Sequence, residues 1–392
     1  MNISKKIFLL FSLSIAFVSC NEEKEIQLPL EETIHLFTLE DYLTDNQVLD
    51  NTVDSIYLLM NENDRYGQVI SLSSGAGTLT RKELSEQITL NTYGGAVFLG
   101  SNKNLKDFTA ELQSASNWPL LLSLDAEPSL INGRLSDLEQ TFKHTSETVD
   151  TRDAAAVSLE IAEILSEMGI SQNYAPVADF GSNTSVINKR SYGSDGDTVK
   201  ARTNAFIREH QSKGVVATSK HFPGHGSAKG DSHKKLVSIP DLNDELEVFK
   251  SNINQGVLSV MVGHIAVENG AYATSNYPSS ISKKIVTDLL RNELAFKGLI
   301  VTDAMNMKGV TQFENADLKA LQAGIDMVLM PSSPLDLIKQ IKNEVLQSEV
   351  FANQIEASVK RVIRLKVCLG LFTEDHISSN RKPSAKKEAP LS

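Results

Sequence analysis

Val215-Val216-Ala217-Thr218-Ser219-Lys220-His221-Phe222-Pro223-Gly224-His225-Gly226 starts as a β-branched strand and breaks at Pro223 among glycines, with Asp231-Ser232-His233 close behind. The run from Val215 to Ser219 fits a strand, and the residues beyond it fit a polar loop carrying imidazoles, a lysine and a carboxylate. Either this is a site or it is a loop of satisfied histidines.

Working outward, the same strand-then-polar-end pattern recurs. Candidate strands are Gln68 to Leu72, Gly95 to Leu99, Leu120 to Leu124, Asn173 to Val177, Val215 to Ser219, Leu258 to Val262, Leu299 to Thr302 and Met327 to Met330. Helix-compatible segments separate them. Thr151 to Met168 puts Ala155, Leu159, Ile161, Ile164 and Leu165 on one stripe and ends at Gly169, and the pattern from Leu335 is helical to Leu369 and ends at Gly370. Alternating β and α units predict an α/β protein built on a parallel sheet. Asp125 follows the third strand, Lys220 and His221 the fifth, His264 the sixth and Asp303 the seventh. Polar residues at the ends of several strands favour a single (β/α)8 TIM-type barrel over a doubly wound sheet, which gathers them at one switch point.

Composition bounds the partners. At 392 residues and 41% hydrophobic content the chain can bury a large core, and a formal charge of −11 argues against a nucleic-acid surface. Lys5 and Lys6 precede an apolar run from Ile7 to Val18, which has the length of a secretory signal core. Phe17-Val18-Ser19-Cys20 resembles a lipobox, so acylation at Cys20 and an exported, membrane-anchored lipoprotein are expected; an uncleaved signal anchor is the alternative. The expected layout is a signal peptide over 1–19, an acidic spacer over 20–34, a barrel over 35–374 and a disordered polar tail over 375–392. Cys368 reads as a small core residue.

The chemistry narrows in the same way. His221 and His225 are four apart, but Pro223 and Gly224 exclude the helix that would align them on a metal, and no cysteines or glutamate complete a zinc set; no metal and no cofactor are expected. Asp231 stands two residues from His233 on a glycine-rich loop, where a carboxylate can fix the imidazole tautomer and raise its basicity. Asp303 closes an apolar strand, where a charge is costly unless it faces a polar cavity; capping a following helix is the structural alternative. Asp179 and Asp326 read as structural. A strand-end carboxylate and a proton donor on a neighbouring loop together meet the needs of retaining glycoside cleavage.

Asn173-Tyr174-Ala175-Pro176-Val177, Ile187-Asn188-Lys189-Arg190-Ser191-Tyr192-Gly193, the segment Lys220 to Gly226 with Asp231-Ser232-His233, Phe296 to Met305 and Ala323 to Met327 together resemble family 3 glycoside hydrolases, in the branch of bacterial β-N-acetylhexosaminidases. The resemblance implies Asp303 as nucleophile, His233 as acid/base with Asp231 orienting it, and Asp125, Arg190, Lys220, His221 and Arg134 as substrate-binding residues. It implies a carbohydrate substrate with terminal GlcNAc, hydrolysed by an enzyme without an obligate protein partner. A β-N-acetylglucosaminide phosphorylase and an inactive glycan-binding lipoprotein are the rival readings. The family usually has Asp-x-Glu-Gly-Gly after the third strand; here Asp125-Ala126-Glu127-Pro128-Ser129 precedes Arg134, so this loop is expected to run differently.

Overall fold

The computed structural model describes residues 28–380 apart from 182, 184–186 and 243, so the signal segment and the expected acyl site Cys20 lie outside the described residues. Among the described residues ten strands occur in chain order: β1 Ile70–Ser74, β2 Gly95–Phe98, β3 Leu121–Leu124, β4 Gln172–Asn173, β5 Val216–Phe222, β6 Val237–Ile239, β7 Ser259–Val262, β8 Ile265–Val267, β9 Leu299–Thr302 and β10 Val328–Leu329. Eight of them run parallel in the order β10-β1-β2-β3-β4-β5-β7-β9. A parallel bridge between Val301 and Met327 brings the last strand to the first, and the sheet curls into a TIM-type barrel.

The barrel holds because most strands are rich in buried apolar residues and the helices present apolar stripes to them. The polar β4 is satisfied inside the barrel, Gln172 Nε2 donating to the Thr218 and Ser259 hydroxyls. Helix Thr151–Glu167 buries Ala154, Ile161, Ala162 and Leu165; Asp150 caps its start by accepting from Asp153 N–H, and Gly169 ends it at φ +71°. The long C-terminal helical stretch is two helices, Pro334–Gln347 and Glu349–Cys368, because Ser348 leaves helical geometry and accepts from Phe351 N–H to cap the second. Asp326 pins the closing seam: it is fully buried and accepts from Ile300 N–H (2.8 Å), Arg291 (2.6 Å), Arg361 (2.8 Å) and Ser358 (2.9 Å). That is the structural role expected for it.

The eight expected strands are all present, with ends displaced by a few residues. The fourth departs most: regular pairing stops at Asn173, and Pro176 downstream has no N–H to continue a ladder. β6 and β8 were not expected. They pair with each other in a separate two-stranded parallel sheet, outside the barrel.

The expected ends of the barrel need correction at both margins. Residues from Leu30 are already folded, since Leu30–Thr33 is a short helix and Ile34 is fully buried, so the spacer does not extend to 34. Residues Glu374–Asn380 form a helix, not a disordered tail, because Ile377 is buried and Asn380 Nδ2 donates to Asn117 O. Residues 381–392 lie outside the described residues. Trp118 packs edge-on against Phe372 with ring centroids 6.3 Å apart. Since Trp118 precedes β3, the C-terminal segment closes the face at the N-terminal ends of the strands, which leaves the opposite face for the loops that carry chemistry.

Candidate active site

At the C-terminal ends of the strands lies a cavity of about 400 Å³ whose walls include Asp125, Arg134, Tyr174, Arg190, Lys220, His221, His233, Asp303, Met307 and Met330. Its size lies within the usual range for small-molecule sites. Seven of the eight residues singled out by sequence as catalytic or substrate-binding line it. Asp231 stands behind His233 instead.

Asp125 follows β3 and is the hub of the charged wall. Lys220 Nζ reaches its Oδ1 at 2.5 Å, and Arg134 reaches it through NH2 to Oδ2 (3.1 Å) and Nε to the carbonyl (3.3 Å). Burial alone would favour its neutral form, but Lys220, Arg134 and Arg190 hold the carboxyl well below the usual carboxylate range. Arg134 is the last residue of the short helix Ile131–Arg134, whose turn returns it to Asp125. The loop is tied down at Ser129: its hydroxyl donates to Lys189 O (2.7 Å), lies 2.9 Å from Thr145 Oγ1 and accepts from Thr145 N–H (2.9 Å).

Glu127 was not singled out by sequence as a site residue. It is 1% exposed, accepts from Arg190 through Nε to Oε2 (2.8 Å) and NH2 to Oε1 (2.6 Å), and its Oε1 is 2.6 Å from Lys220 Nζ. A buried carboxylate with a forked guanidinium partner is a rigid arrangement. Its signal was present in the sequence, a Glu two residues after Asp125 and flanked by Ala126 and Pro128, with two cations elsewhere needing partners.

Lys220 and His221 lie inside β5, not beyond it. Ser219 pairs with Val260 and Phe222 with Val262, so β5 carries one more residue than β7 between these points. Such a bulge re-aims side chains, and here two neighbours in sequence both face the cavity. The Lys220–His221 and Phe222–Pro223 peptide bonds are cis. His221 Nδ1 is 2.6 Å from Asp179 Oδ2, and Asp179 also accepts from the backbone N–H of His221 (3.2 Å) and His225 (2.9 Å). Asp179, fully buried beyond β4, is thus an orienting group, and Nε2 of His221 is the ring atom left for a ligand. His225 supports the loop: its Nδ1 meets Asn183 Nδ2 at 2.9 Å and its Nε2 meets Ser232 Oγ at 3.0 Å.

Asp303 is the residue after β9. Its Oδ1 accepts from Ala304 N–H at 2.8 Å, and the chain beyond it turns without entering a helix until Ala316, so it caps none. Burial pushes its pKa up, but the charge of His221 and of His264, the Ala304 N–H and His233 outweigh this and hold it below the usual carboxylate range. Behind it, His264 Nε2 is 3.0 Å from Ala304 O and Nδ1 is 2.7 Å from Ser280 Oγ, which holds the backbone one residue beyond Asp303.

Across the cavity, His233 Nδ1 is 2.8 Å from Asp231 Oδ1, which also accepts from His233 N–H at 2.9 Å. The His233 side chain is 62% exposed, open to both solvent and the cavity. Burial opposes ionisation of Asp231, yet the two hydrogen bonds from His233, with its charge and that of Lys234, keep its carboxyl below the ordinary range. An imidazole backed in this way can pass a proton in either direction, with a carboxylate held ionised on the facing wall.

A TIM-type barrel with this pairing of an ionised carboxylate and a backed imidazole at its catalytic face has the layout of an acid–base enzyme with a nucleophile. Residues 63–365 match the model of the glycosyl hydrolase family 3 N terminal domain, and the chain belongs to that family. It is 28% identical over 342 residues to beta-hexosaminidase A of Pseudoalteromonas piscicida, covering 75% of this chain and 56% of that one. It is 29% identical over 286 residues to a beta-N-acetylglucosaminidase/beta-glucosidase of Cellulomonas fimi, covering 66% of this chain and 49% of the relative. The chain therefore spans about half the length of these two curated relatives. Among solved structures, a family 3 beta-N-acetylglucosaminidase from Paenibacillus sp. superposes with a TM-score of 0.71 at 27% identity, over 80% of this chain and 63% of that one.

Proposed function

We propose that this chain is a retaining β-N-acetylglucosaminidase that hydrolyses terminal β-linked GlcNAc from glycans or peptidoglycan fragments. The observation that carries the reading is the placement of Asp303 and His233 on one cavity, the first held ionised and the second backed by Asp231. In the first step the Asp303 carboxylate attacks the anomeric carbon while His233 gives its proton to the glycosidic oxygen, and the aglycone leaves as an alcohol. In the second, His233 takes a proton from water, the oxygen attacks the same carbon, and the bond to Asp303 breaks. Asp125, Arg134, Arg190, Lys220 and His221 supply the polar partners for sugar hydroxyls. The names of the two relatives and of the Paenibacillus structure support the choice of sugar.

The membrane is the second partner in this reading. Acylation at Cys20 would make the protein an exported lipoprotein facing the periplasm or cell surface, a placement supported by the lipobox-like Phe17-Val18-Ser19-Cys20. Radiolabelled palmitate incorporated by the full chain and lost in Cys20→Ala is the outcome that supports it; equal labelling of both overturns it.

The activity is tested with aryl β-GlcNAc and aryl β-glucoside, on the protein and on Asp303→Asn. Turnover of the first substrate, little of the second and near-total loss in the variant are expected. Undiminished turnover by Asp303→Asn overturns the nucleophile assignment, and a sugar phosphate product that appears only with added phosphate would replace hydrolysis by phosphorolysis.

A further inference from the structure

Ser232 stands between the two members of the acid/base pair, and it is gripped from both sides. Its hydroxyl lies 3.0 Å from His225 Nε2, and its carbonyl accepts from Gly309 N–H at 3.1 Å. Ser232 is 2% exposed although its neighbour His233 projects into solvent. The loop is therefore anchored at the residue on which no chemistry has been placed.

The direction of the His225 contact follows from its other side. Asn183 Nδ2 lies 3.2 Å from His225 O and 3.1 Å from Gly230 O, two atoms that only accept, so the group facing His225 Nδ1 is an amide NH2. Nδ1 then presents its lone pair, and the ring proton sits on Nε2, directed at Ser232 Oγ. The backbone N–H of His225 is held by Asp179, the carboxylate that also orients His221, so one buried group ties the sugar-facing histidine to the residue gripping the loop.

The second contact needs a glycine. A Cβ on Gly309 would stand 2.9 Å from Ser232 O and 3.1 Å from His264 Cβ, and Gly309 is on the turn that follows Asp303. Ser232 thereby joins the segment after β5 to the segment after β9, the two that bear the proton donor and the nucleophile.

We infer that Ser232, clamped by His225 and Gly309, is a positioning residue that sets where the His233–Asp231 pair stands relative to Asp303, and that His225 acts as the latch of this loop. The inference rests on the acid/base role proposed for His233. Neither contact reaches substrate, so the effect is on the delivery of the proton and not on sugar binding.

The test compares Ser232→Ala, Ser232→Thr and Gly309→Ala in the whole protein, using p-nitrophenyl and dinitrophenyl β-GlcNAc. Departure of dinitrophenolate needs no proton, so kcat/KM on that substrate reports the site without the acid. Ser232→Ala and Gly309→Ala are expected to lose about tenfold in kcat/KM on the p-nitrophenyl substrate, the size of one lost hydrogen bond in the transition state, with less than about twofold loss on the other. Ser232→Thr, which keeps the hydroxyl, is expected to retain most activity. Trypsin, followed by mass spectrometry, is expected to cut after Lys229, Lys234 and Lys235 faster in Ser232→Ala than in the parent. Equal losses on both substrates, or no loss with unchanged cleavage, overturn the inference. If the parent cleaves neither substrate, the acid/base reading fails separately, and unchanged proteolysis of Ser232→Ala would still show that the latch does not hold the loop.

Discussion

Glu127 holds Arg190 with two hydrogen bonds, Nε to Oε2 at 2.8 Å and NH2 to Oε1 at 2.6 Å, while its Oε1 is also 2.6 Å from Lys220. Three cations and two carboxylates thus share one wall, and removing a carboxylate leaves buried positive charge uncompensated. Glu127→Gln is expected to cost about 3 kcal/mol of unfolding free energy in urea and to raise KM more than it lowers kcat. An unchanged KM would mean that Arg190 and Lys220 keep their positions without it.

The state of Asp303 sets an expectation for pH. Its carboxyl is held below the ordinary range, so it stays ionised as pH falls toward the unperturbed carboxylate value of about 3.9. Labelling of Asp303 by an activated fluorosugar, read by peptide mass, is therefore expected to persist from pH 7 to about pH 4.5. Loss of labelling near pH 6 would show that the nucleophile protonates much earlier.

Asp326 closes the barrel seam through Ile300 N–H and two arginines. Asp326→Ala leaves Arg291 and Arg361 without their shared acceptor and frees a buried N–H, and a loss of about 3–5 kcal/mol is expected in chemical unfolding. A loss within about 0.5 kcal/mol would place the strength of the seam elsewhere.

Lys366 gives a stability slope of the same sign as acid denaturation, but on the alkaline side of neutrality. Its amine is fully buried with Gln68 Oε1 at 2.6 Å, and burial brings its pKa down from 10.5 to about 7. Between these values the unfolded chain holds a proton that the folded chain does not, so stability rises with pH across that window, by at most about 1.4 kcal/mol per unit. Urea midpoints of the parent and of Lys366→Met, compared at pH 7, 8 and 9, are expected to show this rise in the parent alone. Parallel curves would mean that the amine stays charged in the fold.

The barrel was legible because its signal repeats. The eight strands read as short, mostly apolar runs, four of them with a polar residue just past the end, and that regularity survives errors in any single boundary. β6 and β8 escaped because three residues are too few to show alternation, and Ile265–Val267 follows β7 so closely that it reads as its overrun. Lys220 and His221 were legible as polar residues near a strand end, but the bulge that turns both to the cavity depends on where β7 sits, which no local pattern states. Glu127 was overlooked for the same reason, since its partners are 63 and 93 positions away in the chain. Pro128-Ser129 stood out in the sequence, but the fastening of Ser129 by Thr145 and the Lys189 carbonyl joins segments far apart in the chain and was not legible there.

The helix Glu374–Asn380 lies on the side of the barrel opposite the cavity and packs against the helix Leu30–Thr33. Both outer margins of the described fold consequently emerge on the blind side. A bead, a vesicle or a fused partner attached beyond either one would carry the barrel with its mouth turned outward, so immobilised protein should meet large, branched substrates as freely as protein in solution.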